Sequence, residues 1–177
     1  MNKNKIEVIK ESPLWEKIDG VEELAENVFA KTWGYLQQND AFGKFRPQDY
    51  GKPVSINLVL GDSAEVHRLN AEFRGVDKPT NVLSFANIDS DDFAAECEDG
   101  DIIELGDVIV AFEVLQSEAE VKKISLEHHL AHLLAHGILH ILGFDHIEDD
   151  EAEEMEAIET AVLKEMNIDN PYKELVE

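Results

Sequence analysis

The stretch SLEHHLAHLLAHGILHILGFDH, from Ser125 to His146, governs how this chain is read. From Ser125 to Leu142 it is rich in Leu and Ala with few β-branched residues. That predicts a helix capped by Ser125, with Glu127 near its positive end. His136 and His140 stand four apart, one above the other on a single helical face. Gly143 can adopt a left-handed conformation there, end the helix and let the chain fold back. His146 then arrives close enough to complete a three-imidazole site. Three neutral nitrogens plus an open position are how a protein holds a catalytic divalent metal, most often zinc. The spacing predicts a metal-dependent hydrolase with His136, His140 and His146 as ligands.

The same helix carries His128, His132, His136 and His140 at steps of four. Each step turns about 40° around a helix of 3.6 residues per turn, so all four cannot meet one ion. The pair His136 and His140 is selected because only it is followed by Gly143 and His146 at a reach one short turn can close. His128, His129 and His132 are expected at the surface or behind the ligands. Gly137 costs a helix interior about 1 kcal/mol relative to alanine; close approach of a backbone or of substrate would account for it, and so would simple tolerance. Asp145 either holds an imidazole in its ligating tautomer or caps a turn. The spacing also matches the metzincin zinc proteases, but those place Glu directly after the first histidine as general base, where this chain has Gly137. A protease reading loses its proton acceptor.

A length of 177 residues with 44% hydrophobic content predicts one domain spanning 1–177, metallohydrolase-like, with a real core. Met1 to Trp15 has no continuous apolar stretch, so the expectation is a soluble cytoplasmic protein with no membrane association. The one cysteine, Cys97, excludes an internal disulfide and reads as an incidental thiol. The formal net charge of -24 argues against nonspecific electrostatic capture of nucleic acid. Eight acids and no base lie in 89–104, and eight more, again without a base, in 148–159. Both runs read as solvated loops or helix faces. Residues 44–78 carry six bases and five acids, a near-neutral segment in an acidic molecule.

The remaining elements follow from periodicity. Ile6–Ile9 reads as a short strand, Asp19 to about Gln38 as an amphipathic helix, and Val54–Leu60 as an alternating strand. Asp62 or Ser63 caps a helix whose apolar side includes Val66, Leu69 and Phe73. Lys78–Asn81 reads as a turn, Val82–Phe85 and Val108–Phe112 as buried strands separated by the first acid-rich loop, and Glu148 to about Met166 as a last helix buried along Ala152, Met155, Ile158, Val162 and Met166. The fold class is α+β, a small mixed β-sheet of about four strands packed against several helices, with the metal site at the end of a core helix.

Three blocks in this order, LNAEFRGVDKPTNVLSF (Leu69–Phe85), LGDVIV (Leu105–Val110) and HGILHILGFDH (His136–His146), resemble the YbeY-type endoribonucleases of bacterial ribosomal RNA maturation and quality control. Asn81 stands where that family usually has Asp, and Ala86 where it usually has Pro. The resemblance implies one Zn2+ per chain on His136, His140 and His146, and catalytic roles for Arg74 and His136. It also implies single-stranded RNA at the 3′ end of the small-subunit ribosomal RNA as substrate, and ribosomal or ribosome-associated proteins as partners. Arg74 has the planar donor fork that grips phosphate; the alternative is a helix-end arginine paired with an acid such as Asp77. Two other functions stay open: a zinc hydrolase of peptides or small amides, and a noncatalytic ribosome-assembly factor with a structural metal. In the ribonuclease reading the acidic runs would turn RNA away from most of the surface and leave a locally neutral or basic cleft as the approach.

Overall fold

The structure, a computed structural model, describes residues 4–43, 45–144 and 148–172. Among the described residues the order is β1 (Lys5–Lys10), α1 (Val21–Gln38), β2 (Val54–Gly61), α2 (Ser63–Arg74), β3 (Val82–Ala86), α3 (Phe93–Asp99), β4 (Ile103–Ala111), α4 (Phe112–Lys122), α5 (Leu126–Ile141) and α6 (Asp149–Glu165). The sheet order is β1-β2-β4-β3; the first three strands run parallel and β3 lies antiparallel at the edge. This is the small mixed sheet expected.

Alternation along the strands splits the sheet into two apolar faces. Ile56, Leu58 and Leu60 of β2 and Val108 and Val110 of β4 join the large core that also holds α1, α5 and α6. Val59, Leu83, Phe85, Ile109 and Ala111 point the other way, where Val66 and Leu69 of α2 and Val114 of α4 meet them. Leu130, Leu134, Ile138 and Leu139 are all fully buried, so α5 is the core helix. Its N-terminus is capped as expected: the Ser125 hydroxyl accepts from the His128 backbone N–H at 3.1 Å.

Gly137 lets α5 sit tightly on the sheet. A Cβ there would lie 2.9 Å from Val108 Cγ1 and 3.2 Å from Ser84 Oγ. Close packing therefore accounts for the glycine, and the neighbours are side chains of β3 and β4.

The structure departs from the expectations in several elements. β4 begins at Ile103, five residues before Val108, and Phe112 opens α4 instead of closing the strand. The first acidic run is not all loop, since its middle is α3, anchored by buried Phe93 and Cys97. Lys52 Nζ donates to the Cys97 and Glu98 carbonyls at 2.6 and 2.7 Å near that helix's negative end. Phe73, placed on the buried side of α2, is 61% exposed. The Cys97 thiol is buried and burial pushes it up, which leaves little thiolate for chemistry.

Candidate active site

The helix α5 ends as its sequence predicts. Gly143 takes φ +100°, and the Gly143 and Phe144 N–H groups donate to the His140 and Leu139 carbonyls at 3.0 Å each. This turn brings the Phe144 carbonyl back over the last helical turn, where it accepts from His140 Nδ1 at 3.1 Å. One turn earlier, His136 Nδ1 donates to Glu159 Oε1 at 3.1 Å. A carbonyl and a carboxylate can only accept, so both imidazoles carry their proton on Nδ1 and present an Nε2 lone pair. Those two Nε2 atoms lie 3.0 Å apart.

The two buried histidines of α5, His129 and His132, are held in the opposite tautomer. His129 Nε2 lies 2.9 Å from Glu118 Oε1, and His132 Nε2 lies 3.2 Å from Glu159 Oε1 and 3.1 Å from the Tyr172 hydroxyl. In each, Nδ1 is buried without a hydrogen-bond partner. A bare lone pair is tolerable there, whereas an N–H would need an acceptor. Burial pushes the His129 imidazole below its usual range against the pull of Glu118. His128 is exposed. The sequence placed His129 and His132 either at the surface or behind the ligands; both are buried, and His132 shares Glu159 with His136.

Glu159 is the site residue that sequence reasoning missed. It was counted in the acidic run 148–159, yet it is fully buried, with Oε1 between His132 and His136 and Oε2 accepting from the Tyr172 hydroxyl at 2.8 Å. Burial by itself would raise its carboxyl, but the His132 and His136 hydrogen bonds outweigh that and hold it at about 2. Burial and the Glu159 charge push the Tyr172 hydroxyl up, so it stays a donor. One signal was available: Glu159 follows Met155 by four and precedes Val162 by three, inside the buried stripe of α6.

The histidine pair opens into a cleft of about 840 Å³ along the free edge of β3, lined also by Asn70, Arg74, Ser84 and Asp89. Arg74 is the last residue of α2. Asn70, nearly buried, organises the loop that follows, accepting from Val76 N–H at 3.2 Å and donating to the Lys78 carbonyl at 2.9 Å. The Arg74 guanidinium lies 5.0 Å over the Phe85 ring and donates to the Ser84 carbonyl. Asp77 pairs instead with His67 at 2.7 Å, and among the described residues no carboxylate is in ion-pair reach of Arg74. Asn81 donates to the Glu118 carboxylate at 3.0 and 3.3 Å; an Asp there would face a like charge.

His146 and Asp145 lie outside the described residues. Among those described, no group of three His, Cys, Asp or Glu side chains is placed to hold a metal. His136 and His140 nevertheless suit one. Two nitrogens bound tetrahedrally at 2.0–2.1 Å stand about 3.3 Å apart, close to the spacing here. Two lone pairs facing each other at this distance need a proton or a cation between them. The Glu159 carboxylate behind His136 is the usual outer partner of a ligating imidazole.

Residues 19–167 match the family model described as Endoribonuclease YbeY. A relative from Paramagnetospirillum magneticum, named Endoribonuclease YbeY, is 50% identical over 121 residues, 68% of this chain and 73% of that protein. Another of the same name from Sinorhizobium fredii is 39% identical over 171 residues, 94% of this chain and 91% of that one. The solution structure of TM1509 from Thermotoga maritima covers 96% of this chain and 100% of its own at a TM-score of 0.50 and 23% identity, a likeness of fold alone. With the matched region running from the start of α1 to the end of α6, the chain belongs to the endoribonuclease YbeY family.

Proposed function

We propose that this chain is a metal-dependent endoribonuclease that cleaves single-stranded RNA in the cytoplasm, in maturation of the 3′ end of small-subunit ribosomal RNA and in ribosome quality control. Residues 1–177 act as one metallohydrolase-like domain, with ribosomal or ribosome-associated proteins as partners. Among the described residues no helix is long and apolar enough to cross a membrane. The observation that carries the reading is the convergence of the His136 and His140 Nε2 atoms on one point of a cleft shared with Arg74.

His136, His140 and His146 would hold a zinc ion. The chemistry such an ion supplies is Lewis acidity toward a phosphoryl oxygen or the attacking water. Glu159 keeps the His136 Nδ1 protonated and its Nε2 aimed into the cleft; the Phe144 carbonyl does the same for His140. Arg74 spends one N–H on Ser84 and retains others of its five for a phosphate. There it steadies negative charge as the phosphodiester is attacked, with no carboxylate competing.

The test is metal analysis paired with cleavage of single-stranded RNA by purified protein. Wild type should hold about one zinc per chain. His136→Ala and His140→Ala should each lose metal and cleavage together, while Arg74→Ala keeps metal and loses cleavage. Retention of metal in both histidine variants refutes the ligand assignment. Metal-dependent cleavage of a peptide library, with RNA left intact, refutes the substrate.

A further inference from the structure

Phe73 follows Val66 and Leu69 at helical spacing, yet α2 delivers its ring to solvent, 61% exposed, one residue before Arg74. An isolated exposed aromatic is ordinary; the surroundings of this one are not. Its ring stands edge-on to Phe85, with centroids 6.0 Å apart. Phe85 also packs against the apolar cluster beneath α2, and the Arg74 guanidinium lies 5.0 Å over its ring, tied to the Ser84 carbonyl. Val76, also exposed, continues the apolar surface into the cleft that Arg74 shares with His136 and His140. Phe73 and Phe85 thus form an aromatic pair on the α2 side of β3, and Arg74, stacked on Phe85, links that pair to the cleft of the histidine pair.

We propose that Phe73, braced by Phe85 and Arg74, is a stacking platform for a nucleobase of the RNA strand whose phosphate lies at Arg74. The proposal rests on the single-stranded RNA reading of the cleft and adds to it a site for a base. Unpaired bases are recognised by stacking on aromatic and guanidinium planes, and such stacking tolerates any base. It also suits a molecule of charge -24, whose overall field repels a polyanion and leaves uncharged contacts to supply more of the affinity. The exposed apolar surface is only Phe73 and Val76 wide, which favours one base over the broad apolar face of a protein partner.

The test measures binding and cleavage of a short single-stranded RNA by wild type, Phe73→Ala and Phe73→Trp, with an abasic nucleotide stepped through the strand. Circular dichroism confirms that each variant folds, as expected for so exposed a side chain. Phe73→Ala should raise the Kd for RNA about 5- to 150-fold, the range of base–aromatic stacking, with the loss falling on KM and not on kcat. Phe73→Trp should bind at least as tightly as wild type. One abasic position should weaken wild type by a similar factor and leave Phe73→Ala with no further loss. Equal Kd for wild type and Phe73→Ala overturns the platform while the RNA reading stands. So does a Phe73→Ala protein that binds RNA normally but loses a protein partner or self-association. If wild type binds no RNA at all, the underlying function falls, and the platform with it.

Discussion

Replacing Glu159 by glutamine changes one atom of a fully buried carboxylate and tests whether it orients the histidine pair or merely fills space. Its two oxygens receive three donors: His136 Nδ1 at 3.1 Å and His132 Nε2 at 3.2 Å on Oε1, and the Tyr172 hydroxyl at 2.8 Å on Oε2. Glutamine has one accepting oxygen. The less disruptive arrangement turns that oxygen to the two imidazoles and the amide N–H₂ to Tyr172, whose hydroxyl can rotate and accept. The two imidazole bonds remain but lose their charge assistance, each falling from about 1.5–3 to about 0.5–1.5 kcal/mol, a loss of about 1.5–3 kcal/mol for the pair. For a chain of this size that lowers Tm by about 3–12 °C, at roughly 2–4 °C per kcal/mol. The orienting role predicts a second effect: affinity for zinc drops about 10- to 100-fold, because the carboxylate behind a ligating imidazole fixes its tautomer and raises its basicity.

The two effects are separable. Melting of the metal-free protein reports packing, and competition with a chromophoric chelator reports zinc affinity. If Glu159→Gln melts lower but competes for zinc as well as wild type, the carboxylate is structural and the orienting role is refuted. Glu159→Ala strands both imidazole N–H groups and should melt lower than Glu159→Gln.

Other perturbations test the remaining contacts. Arg74→Ala should slow RNA cleavage about 100- to 1,000-fold, the cost of losing one donor to a developing charge, and Arg74→Lys should recover only part of it; full-rate cleavage by Arg74→Ala removes Arg74 from the mechanism, and full-rate cleavage by Arg74→Lys shows that its charge suffices without the planar fork. Gly137→Ala forces a Cβ against Val108 Cγ1 and should destabilise by about 1–3 kcal/mol, with Val108→Ala partly relieving it in a double-mutant cycle; strict additivity contradicts the packing account. The His129 imidazole is held below its usual value by burial, so below about pH 6.5 the unfolded chain takes up a proton the folded chain refuses. Stability should fall with pH in that window, and His129→Gln, which can still donate to Glu118, should flatten the fall; parallel curves for the two proteins refute it.

The elements legible in the sequence are those whose pattern is long and whose ends are marked. α5 announces itself through Ser125, its leucines and Gly143, and α6 through Met155, Ile158 and Val162. α4 was lost because it begins at Phe112, directly after the last residue of β4, with no glycine, proline or capping side chain to mark the change. Its buried Phe112, Leu115 and Ala119 have helical spacing, but Phe112 also completes the alternation of the strand. α3 was lost to composition: acids outnumber its two anchors, Phe93 and Cys97, which stand four apart. Phe73 shows the reverse error, since spacing assigned it to a face that the sheet is too narrow to cover there. β3, its partner, is the edge strand.

Histidine spacing alone could not separate His132 from His136, because both stand on α5 and both reach Glu159. The distinction is made by what each imidazole offers its other nitrogen. His129 and His132 turn Nε2–H to a carboxylate and keep Nδ1 in the protein interior, where protonation would bury an unmatched donor. His136 and His140 donate their Nδ1–H to the Glu159 carboxylate and the Phe144 carbonyl and send Nε2 into the cleft. The Phe144 carbonyl is available only because Gly143 reverses the chain, and the Glu159 carboxylate only because α6 buries an acid on its apolar stripe. In the metal reading proposed above, His136 and His140 are set apart by two neighbours outside α5, one from the turn after it and one from the next helix. A variant that shifts either neighbour should alter zinc affinity without touching a ligand. Gly143→Ala, which strains a φ of +100°, should weaken zinc binding through His140 even where α5 stays folded. Unchanged affinity in that folded variant would show that the carbonyl does not set the tautomer.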